Sequence, residues 1–252
     1  MRLLMLIVLT CFCALQIVAQ TMSRTVTQNL PPSTAQTKGI DLEKIVVTDS
    51  SGQVYPTDIV KRLLATGKFG IRWVVPNESG MMFSLTEAQI LEKEKRMPKP
   101  MESKFFRTGF KITNFNERDM EGNKFNIKEL VASGKIVVLN FWFVNCPPCR
   151  REIPGLNDLV NQYKTNQDIV FIAIALDEKY SITDFLKSNP FEYHIIDNGR
   201  YIASQYGITS YPTHVVLNKK GNVLFHTTGF GSNTIVWVKK SIEAALHDTL
   251  PE

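Results

Sequence analysis

Cysteine is scarce in this chain, with four among 252 residues, at positions 11, 13, 146 and 149. They form two close pairs, which argues against a disulfide-stapled scaffold, where cysteines are spread widely. Blocks of five or six charges of one sign are absent, and 29 Lys and Arg against 24 Asp and Glu leave a net charge of only +5. Without a clustered basic face, the sequence predicts no nucleic-acid binding.

The chain also lacks the compositional bias of non-globular proteins. Hydrophobic residues make up 44% and charged residues 21% of the sequence, and no internal repeat is visible. These values exclude a disordered tail protein, a coiled coil and a collagen-like protein. The length allows one or two domains with their own cores.

The first 19 residues have the pattern of a secretory signal peptide, with Arg2 before an apolar run and a cleavage position after Ala19. The alternative is an uncleaved membrane anchor, although about 17 apolar residues is short for crossing a bilayer. Cleavage would leave only Cys146 and Cys149, a single possible disulfide in an oxidising compartment. The expected location is therefore the periplasm or cell envelope, with membrane anchoring if the segment is retained.

Three further segments precede the cysteine pair. Residues 20–39 are rich in Thr, Ser, Gln and Pro and predict a flexible linker. Residues 40–97 predict a small α+β module without cysteine, histidine or a glycine-rich phosphate loop, and we interpret it as a packing or partner-binding appendage. Residues 98–103 contain two prolines and predict a stiff linker. Within the module we expect strands at 44–48, 71–75 and 81–85 and helices at 57–65 and 86–95.

Residues 104–250 alternate predicted strands and helices, which indicates an α/β domain with helices on the faces of a sheet. Residues 136–143 form an apolar run interrupted only by Asn140, as expected for a buried central strand. The other expected strands are 110–115, 124–127, 169–175, 193–196, 214–217 and 223–228. The expected helices are 128–132, 146–163, 182–187, 201–206 and 233–246.

The pair Cys146 and Cys149 carries the chemistry. Cysteines separated by two residues at a helix start lie close enough to form a disulfide. There the Cys146 sulfur can accept unpaired backbone N–H groups at the positive end of the helix dipole, which favours the attacking thiolate. Cys149, one turn further, is expected to be more buried and to act as the resolving thiol.

Two structural alternatives to a redox pair are half of a zinc site and an inert disulfide. Zinc needs four ligands, and no other cysteine remains in the mature chain. The histidines have no paired spacing; they are His194, His214, His226 and His247. We therefore expect no metal.

The motifs around this pair resemble the thioredoxin superfamily and, within it, the TlpA-like and ResA-like thiol–disulfide oxidoreductases of the envelope. The resemblance covers roughly residues 106–246. It rests, in order, on Leu139-Asn140-Phe141-Trp142, the C-x-x-C motif, Glu152-x-Pro154, Tyr206-Gly207-Ile208, Tyr211-Pro212-Thr213 and Gly229. It implies a thioredoxin-like fold, a central mixed sheet flanked by helices, preceded here by the small α+β module.

The resemblance also implies roles for individual residues. Cys146, Cys149 and Glu152 would be catalytic, with a Cys146–Cys149 disulfide. Pro212 would be a cis-proline facing that disulfide, and the backbone of Tyr211 would pair with an extended substrate segment. Pro147 would also contact the substrate.

Two alternative roles are open for Glu152. It lies three residues after Cys149 on the same helix side and matches an acidic residue of the ResA-like proteins. It is either the acid/base for Cys149 or a solvated carboxylate that the helix dipole favours.

Three positions depart from the family pattern. Asn140 stands where thioredoxin has a buried aspartate, so this position cannot titrate. Asn145 replaces the usual tryptophan before the first cysteine, which puts the substrate preference in doubt. Pro147 and Pro148 have no N–H to donate to a thiolate, and we therefore expect a more reducing couple than in relatives with histidine between the cysteines.

The sequence predicts an exported protein disulfide oxidoreductase that reduces disulfides in the bacterial cell envelope. Its partners would be disulfide-containing client proteins, apocytochrome c being one that the family implies, and a membrane thiol–disulfide electron donor. No nicotinamide or flavin motif is present, and we expect no cofactor. One alternative is a peroxiredoxin-like peroxidase, although Phe143 stands where such an enzyme needs threonine. Another is a binding protein that uses the module at 40–97.

Overall fold

A computed structural model describes residues 41–251. The signal peptide at 1–19 and the linker at 20–39 lie outside the described residues and stay predictions. Between residues 41 and 251, no helix has the length and apolar content needed to cross a bilayer.

The first part of the described chain forms a small three-stranded sheet. Its elements are a 3-10 turn at Leu42–Lys44, β1 (Val46–Thr48), α1 (Thr57–Ala65), β2 (Phe69–Val75), β3 (Ser79–Ser84) and α2 (Glu87–Lys95). The strand order is β1-β3-β2, with β1 parallel and β2 antiparallel to β3. Thr86 and Gln89 form the expected capping box at the start of α2. The small core of this three-stranded part consists of Val47, Val60 and Met82.

The rest of the chain is built on a five-stranded mixed sheet. This part of the chain has seven strands, five in that sheet and two in a separate pair: β4 (Asn116–Arg118), β5 (Lys124–Asn126), β6 (Ile136–Trp142), β7 (Ile169–Ala175), β8 (His194–Ile196), β9 (Thr213–Leu217) and β10 (Val223–Thr228). The helices are α3 (Ile127–Ala132), α4 (Pro147–Gln162), α5 (Lys179–Leu186), α6 (Arg200–Gln205) and α7 (Thr234–Leu246). The order is β10-β9-β6-β7-β8, and β4 pairs with β5 separately. This architecture confirms the predicted thioredoxin-like α/β class.

Strand β6 is the centre of the sheet, and all of its residues are buried. It runs parallel to β7 and antiparallel to β9. Because every residue of β6 is buried, both faces of the strand are covered. Successive side chains point to opposite faces. Val138 and Trp142 belong to one core, which also contains both cysteines, whereas Leu139 belongs to the other. Asn140 therefore points toward the cysteine side.

Met97 and Pro98 are held against the C-terminal helix. The indole N–H of Trp237 donates to the Met97 carbonyl at 3.0 Å, and the Asn233 amide donates to the Pro98 carbonyl at 2.7 Å. The linker at 98–103 and the division into domains at 40–97 and 104–250 stay predictions.

One predicted strand is wrong. Residues 110–115 are irregular apart from a single bridge between Lys111 and Asn222. The Asn114 side chain accepts the backbone N–H of Lys128 at 2.9 Å, and the Phe115 carbonyl accepts from Ile127. These bonds tie the segment to the start of α3 and compete with a strand ladder. The first strand of the pair is β4, which begins at Asn116.

Candidate active site

The cysteine pair lies where the central strand leads into a helix. Cys146 is the N-cap of α4, and its Sγ accepts the backbone N–H of Cys149 at 3.3 Å. This contact confirms that a sulfur at the helix start receives an otherwise unpaired donor. The two cysteines form a disulfide with their Cα atoms 5.3 Å apart.

Both cysteines are buried, with 2% exposure for Cys146 and 1% for Cys149. Cys149 is the more buried of the two, as expected, but in this disulfide state the difference is only one percentage point. The rings of Phe143 and Tyr211 pack against the core that contains the pair. They meet edge to face with their centroids 5.5 Å apart.

The loop before β9 contains the predicted cis-proline. The Tyr211–Pro212 bond is cis, as the sequence predicts. The Pro212 carbonyl accepts the N–H of Gly229 at 2.8 Å, and the Tyr211 hydroxyl donates to the Ile208 carbonyl at 3.2 Å. Pro147 is the first residue of α4, a helix position where a missing N–H costs nothing.

Glu152 is on the buried side of α4, with 1% exposure. The reading of Glu152 as a solvated carboxylate is therefore wrong. Its Oε1 accepts from Asn140 Nδ2 at 3.0 Å, and its Oε2 lies 3.0 Å from Nε2 of His214. Burying a carboxylate is costly unless such partners are present.

His214 has no role in the prediction made from the sequence, where it was considered only as a zinc ligand. The register of β6 and β9 places Asn140 directly opposite His214, with both side chains on the cysteine side of the sheet. Alternation along β9 was the available signal, because Val216 points to the same core. Only the pairing register, which no local pattern reveals, brings the two residues together.

Tyr193 belongs to the same core as the cysteines, and its hydroxyl is buried without a hydrogen-bond partner among the described residues. Burial and, secondarily, the charge of Glu152 raise the pKa of Tyr193 well above its usual value. The phenol therefore stays protonated and cannot accept a proton during the reaction.

Comparison with known proteins agrees with this geometry. Residues 108–226 match the model of the AhpC/TSA family. The thiol-disulfide oxidoreductase ResA of Halalkalibacterium halodurans is 36% identical over 126 residues, covering 49% of this chain and 70% of the relative. ResA of Bacillus thuringiensis is 32% identical over 149 residues, covering 58% of this chain and 79% of the relative. The chain belongs to the ResA family of thiol–disulfide oxidoreductases.

A solved structure supports the assignment of this ResA-type oxidoreductase. A Chlorobium tepidum protein, assigned as a thiol:disulfide interchange protein DsbE, superposes with a TM-score of 0.51 and 26% identity. The match covers 56% of this chain and 99% of that protein. The shared part is the thioredoxin-like domain.

A cavity of about 260 Å³ adjoins the cis-proline loop of the ResA-type domain. Tyr211 and Leu176 form part of its wall, together with Arg200, Ser204 and Thr209. It is open to solvent and combines apolar wall with hydroxyl groups and one cation.

Potential metal ligands of the described residues come together at Asp119, Glu121 and His194, whose ligand atoms lie within 4.8 Å of one another. Asp119 already accepts hydrogen bonds from Asn123 at 2.8 Å and contacts His194 Nδ1 at 3.0 Å. The Asn123 bond closes the turn between β4 and β5, the His194 contact joins that turn to β8, and we assign the group a structural role.

Proposed function

We propose that this oxidoreductase reduces disulfides of client proteins in the bacterial cell envelope through the Cys146–Cys149 couple. The observation that carries the proposal is the placement of Cys146 as the N-cap of α4, with Cys149 and Glu152 following on the buried side of the same helix. A nucleophile, a resolving thiol and a proton acceptor are thus held on one rigid element.

The reduction takes place in two exchanges. The Cys146 thiolate attacks one sulfur of the client disulfide, a mixed disulfide forms, and the other client sulfur leaves as a thiolate. The Cys149 thiolate then attacks the Cys146 sulfur, which closes the protein disulfide and releases the second client thiolate. Two electrons pass from the protein dithiol to the client, and the client thiolates take up protons from solvent.

Glu152 accepts the proton that Cys149 must lose before the second exchange. Side chains three residues apart on a helix are neighbours, so Glu152 lies on the same side as Cys149. Both are buried, which leaves little access for water as an alternative acceptor. Asn140 cannot perform this task because an amide does not titrate.

The client would lie along the loop that ends in the cis-proline. In this proposal, the backbone of Tyr211 pairs with an extended client segment, and Pro212 and Pro147 border the disulfide from either side. The packing of Tyr211 on Phe143 supports it, because this contact ties the loop to the residues before Cys146.

The source of electrons follows from the absence of a nicotinamide or flavin motif in the sequence. We expect a membrane thiol–disulfide protein to regenerate the dithiol, and the signal-peptide pattern at 1–19 supports a location in the envelope. A peroxidase is less compatible with the site, since Phe143 occupies the position of the needed threonine and its ring packs on Tyr211.

Trapping tests this function. A Cys149→Ser variant, expressed in its own envelope, cannot resolve mixed disulfides and should accumulate client proteins and the electron donor on Cys146. The control is the Cys146→Ser/Cys149→Ser double variant, which should trap neither. Recovery of no mixed disulfide from a folded, exported Cys149→Ser protein would contradict the proposal.

A further inference from the structure

Three side chains form a closed polar cluster behind the disulfide. Both oxygens of Glu152 are occupied, Oε1 by Asn140 Nδ2 at 3.0 Å and Oε2 by His214 Nε2 at 3.0 Å. Asn140 Nδ2 is also 3.4 Å from both ring nitrogens of His214. The side chains of His214 and Glu152 are 0% and 1% exposed, so water has no access to their contact.

The cluster comes from three different elements, which makes it more than a local hydrogen bond. Strand β6 contributes Asn140, strand β9 contributes His214, and helix α4 contributes Glu152, three residues after Cys149. The histidine is separated from the glutamate by 62 residues. A buried imidazole on an interior strand such as β9 has no apolar packing advantage over Val or Ile, so its nitrogen next to Oε2 is what distinguishes it.

The other groups that face Glu152 cannot replace this histidine. Asn140 is neutral at all accessible pH values and already binds Oε1. Tyr193 stays protonated because burial and the Glu152 charge raise its pKa. Cys149 is the proton donor of the reaction itself. Among the described residues, His214 is therefore the group that can control the state of Oε2.

We infer that His214 is a positioning residue for the redox reaction: its Nε2–H bond to Oε2 holds Glu152 as the buried carboxylate that accepts the proton of Cys149. This inference rests on the proposed function and adds the residue that makes its proton acceptor usable. His214 touches neither the client nor the sulfurs, and it acts only through Glu152. Its loss leaves the first exchange intact and slows the second.

The two exchanges can be separated with 5,5′-dithiobis(2-nitrobenzoate) as the client disulfide. Reduced protein mixed with an equimolar amount releases one coloured thiolate when Cys146 attacks and a second when Cys149 resolves the mixed disulfide. In His214→Phe, the first release should stay within two-fold of wild type. The rate of the second release should fall at least ten-fold at pH 7, as in Glu152→Gln. The His214→Phe/Glu152→Gln double variant should show a second release no slower than that of either single variant.

A pH profile distinguishes positioning from a packing defect. Loss of a hydrogen bond to a charged group shifts a protonation equilibrium by about ten- to hundred-fold. The second release in His214→Phe should therefore reach half of its maximal rate about one to two pH units higher than in wild type. His214→Gln keeps an N–H donor near the position of Nε2 and should restore the rate to within about three-fold. His214→Asn is too short to reach Oε2 and should behave as His214→Phe, which provides a second variant if the phenylalanine does not fold.

His226 supplies a matched control. It is also buried, on the neighbouring strand β10, and its ring nitrogens have no hydrogen-bond partner among the described residues. His226→Phe should leave both releases within two-fold of wild type. A wild-type pH profile in His214→Phe, or failure of His214→Gln to restore the rate, would overturn the inference. Absence of any second release from wild-type protein would instead overturn the proposed function.

Discussion

Pro148 determines how many backbone donors the Cys146 sulfur receives, and its replacement should change the redox potential by a calculable amount. An N-cap side chain accepts from the second or third helical N–H. The third is Cys149, whose N–H donates to Cys146 Sγ at 3.3 Å, and the second is Pro148, which has no N–H. Pro148→Ala adds this missing donor without adding a charge.

The magnitude follows from the energy of one hydrogen bond to a charged sulfur, about 1.5 to 3 kcal/mol. This corresponds to a fall of about one to two units in the pKa of the Cys146 thiol. Because the thiolate belongs to the reduced form, the same energy raises the reduction potential by about 30 to 65 mV. This holds at a pH above the pKa of the Cys146 thiol in both the wild type and Pro148→Ala. At lower pH the thiol is protonated in both proteins, and the difference should shrink.

The assay is equilibration with glutathione buffers near pH 9, together with the pH dependence of Cys146 alkylation in the reduced protein. Pro147→Ala is the matched control, because the N–H of the first helical residue does not point toward the N-cap side chain. It should leave the potential within about 10 mV of wild type, well inside the shift expected for Pro148→Ala. Equal shifts in both variants, or no rise in Pro148→Ala, would refute the reasoning.

Two further predictions concern stability. Burial lowers the pKa of His226, against a smaller opposing effect of Glu102, so below about pH 6.5 the unfolded chain binds more protons than the folded one. The free energy of unfolding should then fall by up to about 1.4 kcal/mol per pH unit on acidification, and urea titrations of His226→Phe should lack this contribution. Trp237→Phe removes the bond to the Met97 carbonyl and should cost about 1 kcal/mol. Limited proteolysis between residues 97 and 103 should become faster in that variant, and an unchanged cleavage rate would show that this bond does not hold the segment.

Local patterns were sufficient for the elements that present the redox pair. The apolar run with a single Asn140 defines β6, and the cysteine spacing followed by a helical pattern defines the start of α4. Both depend on residues close in the chain, where periodicity and capping rules apply directly. The prediction of a strand at 110–115 was wrong because the structure of this segment depends on residues outside it. Its hydrogen bonds are made by side chains and loops distant in sequence, and local β propensity does not report them.

The environment of Glu152 required tertiary information. Its position on α4 left a buried acid/base and a solvated carboxylate equally compatible with the helix pattern. What decides between them is the packing of α4 on the sheet, together with the β6–β9 register that places His214 opposite Asn140. Neither follows from the spacing of cysteines, and a histidine on a buried strand gives no indication of its partner.

The departure at Asn140 and the burial of Glu152 can be understood as one arrangement. Thioredoxin places a buried aspartate at the position of Asn140, on the central strand. Here the carboxylate comes from the helix instead, and its Oε1 lies 3.0 Å from the Asn140 amide nitrogen. An aspartate at that position would put two carboxylates in contact, and one of them would have to hold a proton at neutral pH. The asparagine removes this conflict and donates to Glu152, so that the carboxylate behind Cys149 is retained while its source moves from strand to helix.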